Sequence, residues 1–260
     1  MAKLPLTVIL PVHNEEKNIR RCLESVSFAD DLIVVDGASS DRTREIASHF
    51  PARILETEND FAEGQRLKAL PLARHPWIFL IDADEVVTEP LRDSIEKALN
   101  EQKNSAYTVR RRNLYKGRPI HMHEPDLQLR LFQKNRTVFP DKIHRLPQIQ
   151  GSAGSLEGDL LHYFFTTVGD YMTRLKRYTE AEASYRREQA NQAGILFWLN
   201  GFVIRPSGRF FHYYFLKKGF LDGSFGFFYS ISSAYYEWVI ASKLLNGLKR
   251  GSGGSEIHRP

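Results

Sequence analysis

At 260 residues, with 42% hydrophobic and 26% charged residues, the chain can bury a full core, and its composition excludes both wholesale disorder and a polytopic membrane protein. The formal net charge of +5 suits nucleic acid, anionic lipid or phosphorylated substrates and does not choose among them. The single cysteine, Cys22, excludes an internal disulfide and reads as a buried thiol in a reducing compartment.

The opening Met1 to Pro5 has no apolar signal core, so cytoplasmic residence is expected. Strand-like runs then alternate with helical periodicity: Leu6 to Pro11, Glu15 to Ser27, Leu32 to Asp36, Asp41 to Phe50, Arg53 to Glu56, Phe61 to Leu72 and Trp77 to Asp82. A helix follows near Thr88-Glu89-Pro90, where Pro90 suits a first turn. Such βα repetition predicts a parallel sheet. Beyond residue 100 the strand-like pieces Ala106 to Arg112, Leu127 to Phe132 and Leu160 to Phe165 predict a mixed, antiparallel half of the same α/β domain. Gln150 to Gly158 reads as flexible, and the chain turns helical and aromatic beyond Asp170. No apolar run between Phe197 and Trp238 is long enough to span a membrane, and Gly251 to Ser255 reads as a linker.

Acidic residues gather where strands end. Asp82-Ala83-Asp84-Glu85 closes one strand, Asp36-Gly37-Ala38-Ser39-Ser40-Asp41 another, and Pro11-Val12-His13-Asn14-Glu15-Glu16 the first. Ligands of open α/β sheets bind beyond the carboxyl ends of strands. Two carboxylates placed there repel unless a cation neutralises them, and Mg²⁺ or Mn²⁺ bridging a diphosphate is one solution; a helix N-cap is the plainer one. Asp36 is placed to accept hydrogen bonds from a base or ribose.

These three segments, in this order and spacing, resemble family-2 glycosyltransferases of the GT-A fold, a Rossmann-like mixed sheet. Pro125 to Phe132, Gly158 to Tyr163 and Gly219 to Gly223 extend the resemblance to bacterial lipopolysaccharide-core β-1,4-glucosyltransferase-like enzymes, over roughly residues 5 to 245. The resemblance implies that Pro11, Glu15 and Asp36 hold the nucleotide of a UDP-sugar, and that Asp82 and Asp84 hold the divalent metal (Mg²⁺ or Mn²⁺) and diphosphate. Asp82 thereby belongs to the donor site as well. It also implies an inverting transfer, with glucose as the expected sugar and a lipopolysaccharide-core or other glycolipid as acceptor. Two positions depart from the pattern: Leu67 stands where Asn is frequent, and Arg145 follows His144 where an acid is usual.

An inverting transfer needs a base for the acceptor hydroxyl. With Arg145 in place of an acid, Asp126 is the first candidate and Glu124 the second; either is otherwise a loop acid paired with Arg110, Arg111 or Arg112. His144 is a candidate third metal ligand, and His162 is also placed to reach the metal or phosphate. Arg130 and part of the run Arg110 to Arg112 are candidate diphosphate contacts, since alternate strand residues face opposite ways.

The expected organisation is a GT-A catalytic domain over residues 1–168, a membrane-apposed C-terminal helical extension over 169–249, and a flexible tail over 250–260. Aromatics beside Lys and Arg from Phe197 to Lys249 predict peripheral contact with the inner face of the cytoplasmic membrane. Nucleic acid is not an expected partner, because an acidic rim repels phosphate unless metal intervenes. A nucleotidyltransferase and a basic nucleic-acid-binding module are the alternatives; the first is disfavoured because no glycine-rich phosphate loop follows the first strand.

Overall fold

The computed structural model describes residues 3–58, 62–139, 147–163, 168–190 and 194–252. The chain divides into two compact units. One comprises residues 1–114 and 125–164, the other residues 115–124 and 165–260.

In the first unit β1 (Leu4–Val12), α1 (Ile19–Ser25), β2 (Ala29–Asp36), α2 (Thr43–Ser48), β3 (Arg53–Glu56), α3 (Ala62–Ala69) and β4 (Trp77–Leu80) follow in βα alternation. A short β5 (Glu85–Val87), α4 (Glu89–Glu101) and the long β6 (Ala106–Tyr115) come next. After β7 (Arg118–Pro119), which belongs to the other unit, come β8 (Leu127–Gln133), β9 (Thr137–Val138), β10 (Gln148–Ile149) and β11 (Ala153–Tyr163). Across the main sheet the order is β3-β2-β1-β4-β8-β6-β11-β5. β3, β2, β1 and β4 run parallel, β8 pairs antiparallel with β4 and β6, and β11 lies parallel to β6.

The continuous apolar character of β1 has a physical cause. Both faces of a parallel sheet are covered, so both faces of each strand must be apolar. Val8, Leu10 and Val12 pack with Ile19 and Leu23 of α1 and Leu91 and Ile95 of α4, while the alternate residue Ile9 joins Ile33, Ile78 and Ala69 of α3 in a second cluster. Cys22 is buried in the first of these clusters. Since β1, β2 and β4 are parallel, their carboxyl ends share one rim.

The stretch that reads as flexible, Gln150 to Gly158, is a correction. From Ala153 onward it is the start of β11, paired with Ala106 to Thr108 of β6. Its small residues meet close approach: the register slips between Ser155 and Asp159, and Gly158 turns there at φ +84° with the Leu91 Cα 2.8 Å from where a Cβ would stand. Likewise Gly251 and Ser252, expected in a linker, close the last helix, and 253–260 lie outside the described residues.

The second unit holds α5 (Val168–Ala190), α6 (Ile195–Leu199), α7 (Arg205–Phe211) and α8 (Gly223–Ser252). The π-helical segments 200–204 and 212–216 join α6, α7 and the turn before α8 into one long irregular helix. Pro206 lacks the N–H that would close the preceding turn, which accounts for the wider winding just before it. Among the described residues no helix is long and apolar enough to cross a membrane.

Gly158→Ala should cost at least about 2 kcal/mol, because it combines positive-φ strain with a clash against backbone that cannot yield. Gly117→Ala, also at positive φ (+76°) but with open space around it, should cost about 1 kcal/mol. Paired thermal melts check the difference; equal losses would mean the Leu91 approach does not constrain the strand.

Candidate active site

The β1 and β2 loops are tied to each other before anything binds. Gly37 N donates to Val12 O (2.9 Å), Asn14 N to Ser39 Oγ (2.9 Å), Ser40 N to Asn14 Oδ1 (2.8 Å) and Glu15 N to Thr43 Oγ1 (2.7 Å). Asn14 and Ala38 both sit at φ +56°, a conformation that these bonds hold in place. Asp41 serves its own helix, accepting from Thr43 N (3.0 Å), and also accepts from Glu16 N (3.1 Å). Pro11 is buried opposite Val35, and the Glu15 carboxylate accepts from Asn18 Nδ2 (2.8 Å).

Asp36 is fully buried at the end of β2. Its Oδ2 accepts from Ser39 N (3.1 Å) and lies 3.6 Å from Arg44 Nε. Its Oδ1 is buried without a hydrogen-bond partner among the described residues. A buried carboxylate oxygen left unpaired costs about 1–3 kcal/mol, so the position suits a ligand that donates a hydrogen bond.

At the end of β4 the carboxylates are already matched by cations, and these are arginines. Arg130 donates to Asp82 Oδ2 (2.8 Å) and to Glu85 Oε1 (2.5 Å), while Arg66 donates to Asp82 Oδ1. Glu85 has no solvent exposure, and its Oε2 accepts from Asp82 N (3.0 Å), tying the acidic turn to itself. Burial pushes Glu85 up despite Arg130. For Asp82 burial is outweighed, and Arg130 and Arg66 hold it well below the usual carboxylate range. Burial and the neighbouring Glu85 and Asp84 together push the Cys22 thiol up, so it stays protonated. Arg130 reaches this cluster because β8 bulges there: Leu131 pairs with Tyr107 and Leu129 with Thr108, leaving Arg130 as the extra residue.

The Asp84 carboxylate has a histidine beside it. Its Oδ2 lies 3.4 Å from His162 Nε2, whose Nδ1 bonds Asn113 Oδ1 at 2.5 Å. His162 is opposite Glu85 in β5 and Asn113 in β6, so sheet register makes this chain. Asn113 continues it to Asp126 Oδ2 (3.0 Å), which also accepts from Arg111 Nε (2.8 Å), while Gln128 donates to Asp126 Oδ1 (2.5 Å). Burial would raise Asp126, but the Asn113 and Gln128 bonds and Arg111 hold it below its ordinary value. Arg110 and Arg112 point the other way and bind Asp159 (2.5 and 3.1 Å), as strand alternation requires.

Of the candidate residues, Asp36, Asp82, Asp84, His162, Arg130, Arg111 and Asp126 thus belong to one unit and, from Asp82 round to Asp84, to one connected polar network. Glu124 is a half-buried residue of the other unit. His144 and Arg145 lie outside the described residues. Sequence reading did not weigh Arg66 or Asn113; no motif marks them, and only register brings them to the rim. Gly219 to Gly223, matched only as a motif, has a structural role: the Asp222 carboxylate accepts from the backbone N–H groups of His121 (2.8 Å) and Met122 (2.9 Å), pinning the segment that carries Glu124.

Among the described residues no three His, Cys, Asp or Glu side chains form a ready metal cage. The donor chemistry nonetheless fits Mg²⁺ or Mn²⁺, which commonly take one or two carboxylates and complete their shell with substrate phosphate and water. Asp82 and Asp84 are the carboxylates that would hold such an ion; both oxygens of Asp82 are engaged by guanidinium groups, and Asp84 has His162 beside it.

The family model described as glycosyl transferase family 2 matches residues 7–152. The chain belongs to that family. It is therefore a transferase enzyme, its mixed α/β sheet is the GT-A architecture, and the nucleotidyltransferase alternative falls. A lipopolysaccharide core biosynthesis glycosyltransferase, LpsC of Rhizobium meliloti, is 25% identical over 93% of this chain and 92% of its own length. An uncharacterized glycosyltransferase of Rickettsia typhi is 24% identical over 92% of this chain and 86% of its own. The crystal structure of S. aureus TarS 1-349 aligns with a TM-score of 0.49 at 13% identity, covering 95% of this chain and 92% of that one.

Asp126→Asn tests the network through pH. The folded-state pKa of Asp126 is lowered, so its stabilising contribution is complete above the unfolded value of about 3.9 and is lost as pH falls through the folded one. The variant should be about 1–3 kcal/mol less stable at neutral pH, and that gap should close below about pH 4 in denaturant titrations. A gap independent of pH would mean that the carboxylate charge contributes nothing.

Proposed function

We propose that this family-2 enzyme is an inverting glycosyltransferase that moves a sugar, glucose being the first to test, from a UDP-sugar to a hydroxyl of a lipopolysaccharide-core or related glycolipid. One observation carries the reading. The carboxyl ends of three parallel strands place the unpaired Oδ1 of buried Asp36 on the same rim as Asp82 and Asp84. Asp36, with Pro11 near the end of β1 and Glu15 in the loop after it, takes the base and ribose. Asp82, Asp84 and His162 face the diphosphate, where Arg66 and Arg130 hold Asp82 still and add positive charge. A divalent metal held by Asp82 and Asp84 would neutralise charge on the departing diphosphate.

In the transfer, the acceptor oxygen bonds to the anomeric carbon as the bond from that carbon to the diphosphate breaks on the opposite face, releasing UDP. The acceptor proton goes to Asp126, which is ionised at neutral pH because three donors stabilise its charge. It takes the proton by exchanging one donor for the acceptor hydroxyl. Glu124 is the second candidate. The glycolipid class is supported by likeness to LpsC over nearly the whole chain. Peripheral contact with the inner face of the membrane fits the second unit, where Ile195 and Leu196 are 82% and 76% exposed and Phe211, Phe215, Leu216 and Trp238 are also open to solvent.

Calorimetry with UDP, GDP and ADP, with and without Mn²⁺, is the first test. UDP should bind with metal dependence, and Asp82→Asn with Asp84→Asn should abolish that dependence; equal binding of all three, or none, overturns the donor assignment. With UDP-glucose and a lipopolysaccharide-core acceptor, Asp126→Asn should keep donor affinity and lose turnover by at least about 100-fold. Wild-type turnover removes Asp126 as the base. Co-sedimentation with anionic vesicles at low salt checks the membrane contact, which fails if the protein stays in the supernatant.

A further inference from the structure

The second unit contains a cavity of about 430 Å³ lined by Arg186, Arg205, Gly208, Arg209, His212 and Glu237. Four elements build it: Arg186 comes from α5, Arg205 to Arg209 from α7, His212 from the π-helical turn after it, and Glu237 from α8. Glu237 is the deep anchor. It lies 2.9 Å from Arg186 Nη1, 2.6 Å from Arg209 Nη1 and 3.9 Å from Arg205 Nη1. Burial would raise the Glu237 carboxyl, but Arg186 and Arg209 hold it below its ordinary value, so it is ionised and draws the guanidinium groups inward.

One carboxylate cannot satisfy three guanidinium groups, each with five N–H donors. Counting Glu182, which binds Arg186 at 2.6 Å, the cluster still keeps a net positive charge. Arg186 is held by two carboxylates, and the guanidinium of Arg209 lies over the rings of Tyr236 (5.1 Å) and Tyr213 (6.0 Å). Arg205 and Arg209 remain 40% and 36% exposed at the mouth. The result is a preorganised fork of donors aimed at an incoming anion.

Gly208 lies on the wall of the cavity. Glycine inside a helix costs about 1 kcal/mol relative to alanine, and a Cβ at this position would meet nothing within 4 Å. Packing therefore does not demand glycine here. The open space lies on the cavity wall. Elsewhere on their surfaces α7, α8 and the π-helical segment 200–204 expose Phe211, Tyr235, Trp238 and Ile204.

We propose that this arginine cavity binds the phosphate headgroup of an anionic phospholipid, with the exposed aromatic and aliphatic side chains entering the acyl boundary. This rests on the membrane-contact reading above and adds a defined headgroup site to it. Bulk surface charge would attract any anionic bilayer. The fork instead selects an exposed phosphate monoester, whose oxygens reach two guanidinium groups at once.

The test uses the full chain, vesicles of phosphatidylcholine alone or mixed with phosphatidic acid, and two variants on one helix. Gly208→Glu places a carboxylate in the cavity, whereas Ser207→Glu makes the same charge change beside it. Both positions are solvent-exposed, and thermal melts confirm folding. The wild type should be retained by phosphatidic acid vesicles and not by phosphatidylcholine alone. Gly208→Glu should weaken retention at least about tenfold below Ser207→Glu, the equivalent of losing one charge-assisted bond of about 1.5 kcal/mol or more. Inorganic phosphate at constant ionic strength should release the wild type more effectively than chloride. Equal loss in the two variants, or equal release by the two salts, overturns the headgroup site while leaving membrane contact standing. Stabilisation by inorganic phosphate with no retention on vesicles makes the cavity a free-phosphate site and overturns the lipid assignment. Nucleotide binding by the other unit is read separately and fails or succeeds on its own.

Discussion

A carboxylate with no access to water must be paired, and the pairing of Glu85 organises the candidate active site. Removing either partner of a buried ion pair leaves a charge stranded, at a cost of about 3–5 kcal/mol, so Glu85 and Arg130 are held together strongly. Glu85 in turn accepts from Asp82 N, and Arg130 reaches past it to the Asp82 carboxylate. The acidic turn is thereby fixed from below, by its own side chain, and from the side, by a bulged residue of β8. A mobile pair of carboxylates becomes a fixed one.

The consequence is a division of labour between neighbouring acids of the same motif. Asp82 is bound by two guanidinium groups and carries charge without being free to move. Asp84 faces an imidazole whose orientation is set by Asn113. Asn113 also touches Asp126, so the Asp84–His162 pair and Asp126 are linked through one amide. That amide must point its oxygen at His162 and its nitrogen at Asp126, which leaves His162 as the N–H donor in the shared bond. Electrostatic preorganisation of this kind supplies charge stabilisation without rearrangement during the reaction.

The helical unit exposes aromatic and aliphatic side chains alongside charged ones such as Lys176, Lys217 and Lys218, and Arg186, Arg205 and Arg209 gather around Glu237. Ring contacts such as Phe202 with Trp238 (6.1 Å, edge-on) and Tyr235 with Trp238 (6.1 Å, stacked) brace the exposed aromatics.

Much of this was legible in the residues. The apolar runs of β1, β2 and β4 and the acids that close them are local patterns, governed by strand periodicity and by the need to cover both faces of a parallel sheet, and they led to the family, the fold class and the donor-side rim. The alternation of Arg110, Arg111 and Arg112 likewise follows from a period of two. Gln150 to Gly158, by contrast, looked flexible because small residues suit loops and crowded strands equally, and only strand pairing from Ala153 and the approach of Leu91 tell them apart. Arg130 and Asn113 belong to segments whose register, including the bulge that turns Arg130 inward, depends on pairing between strands far apart in sequence. So does the fact that guanidinium groups, before any metal, neutralise Asp82. Sequence by itself determined which chemistry was available and at which strand ends; tertiary structure decided which charges meet, because distance between side chains is set by register and packing that no local pattern encodes.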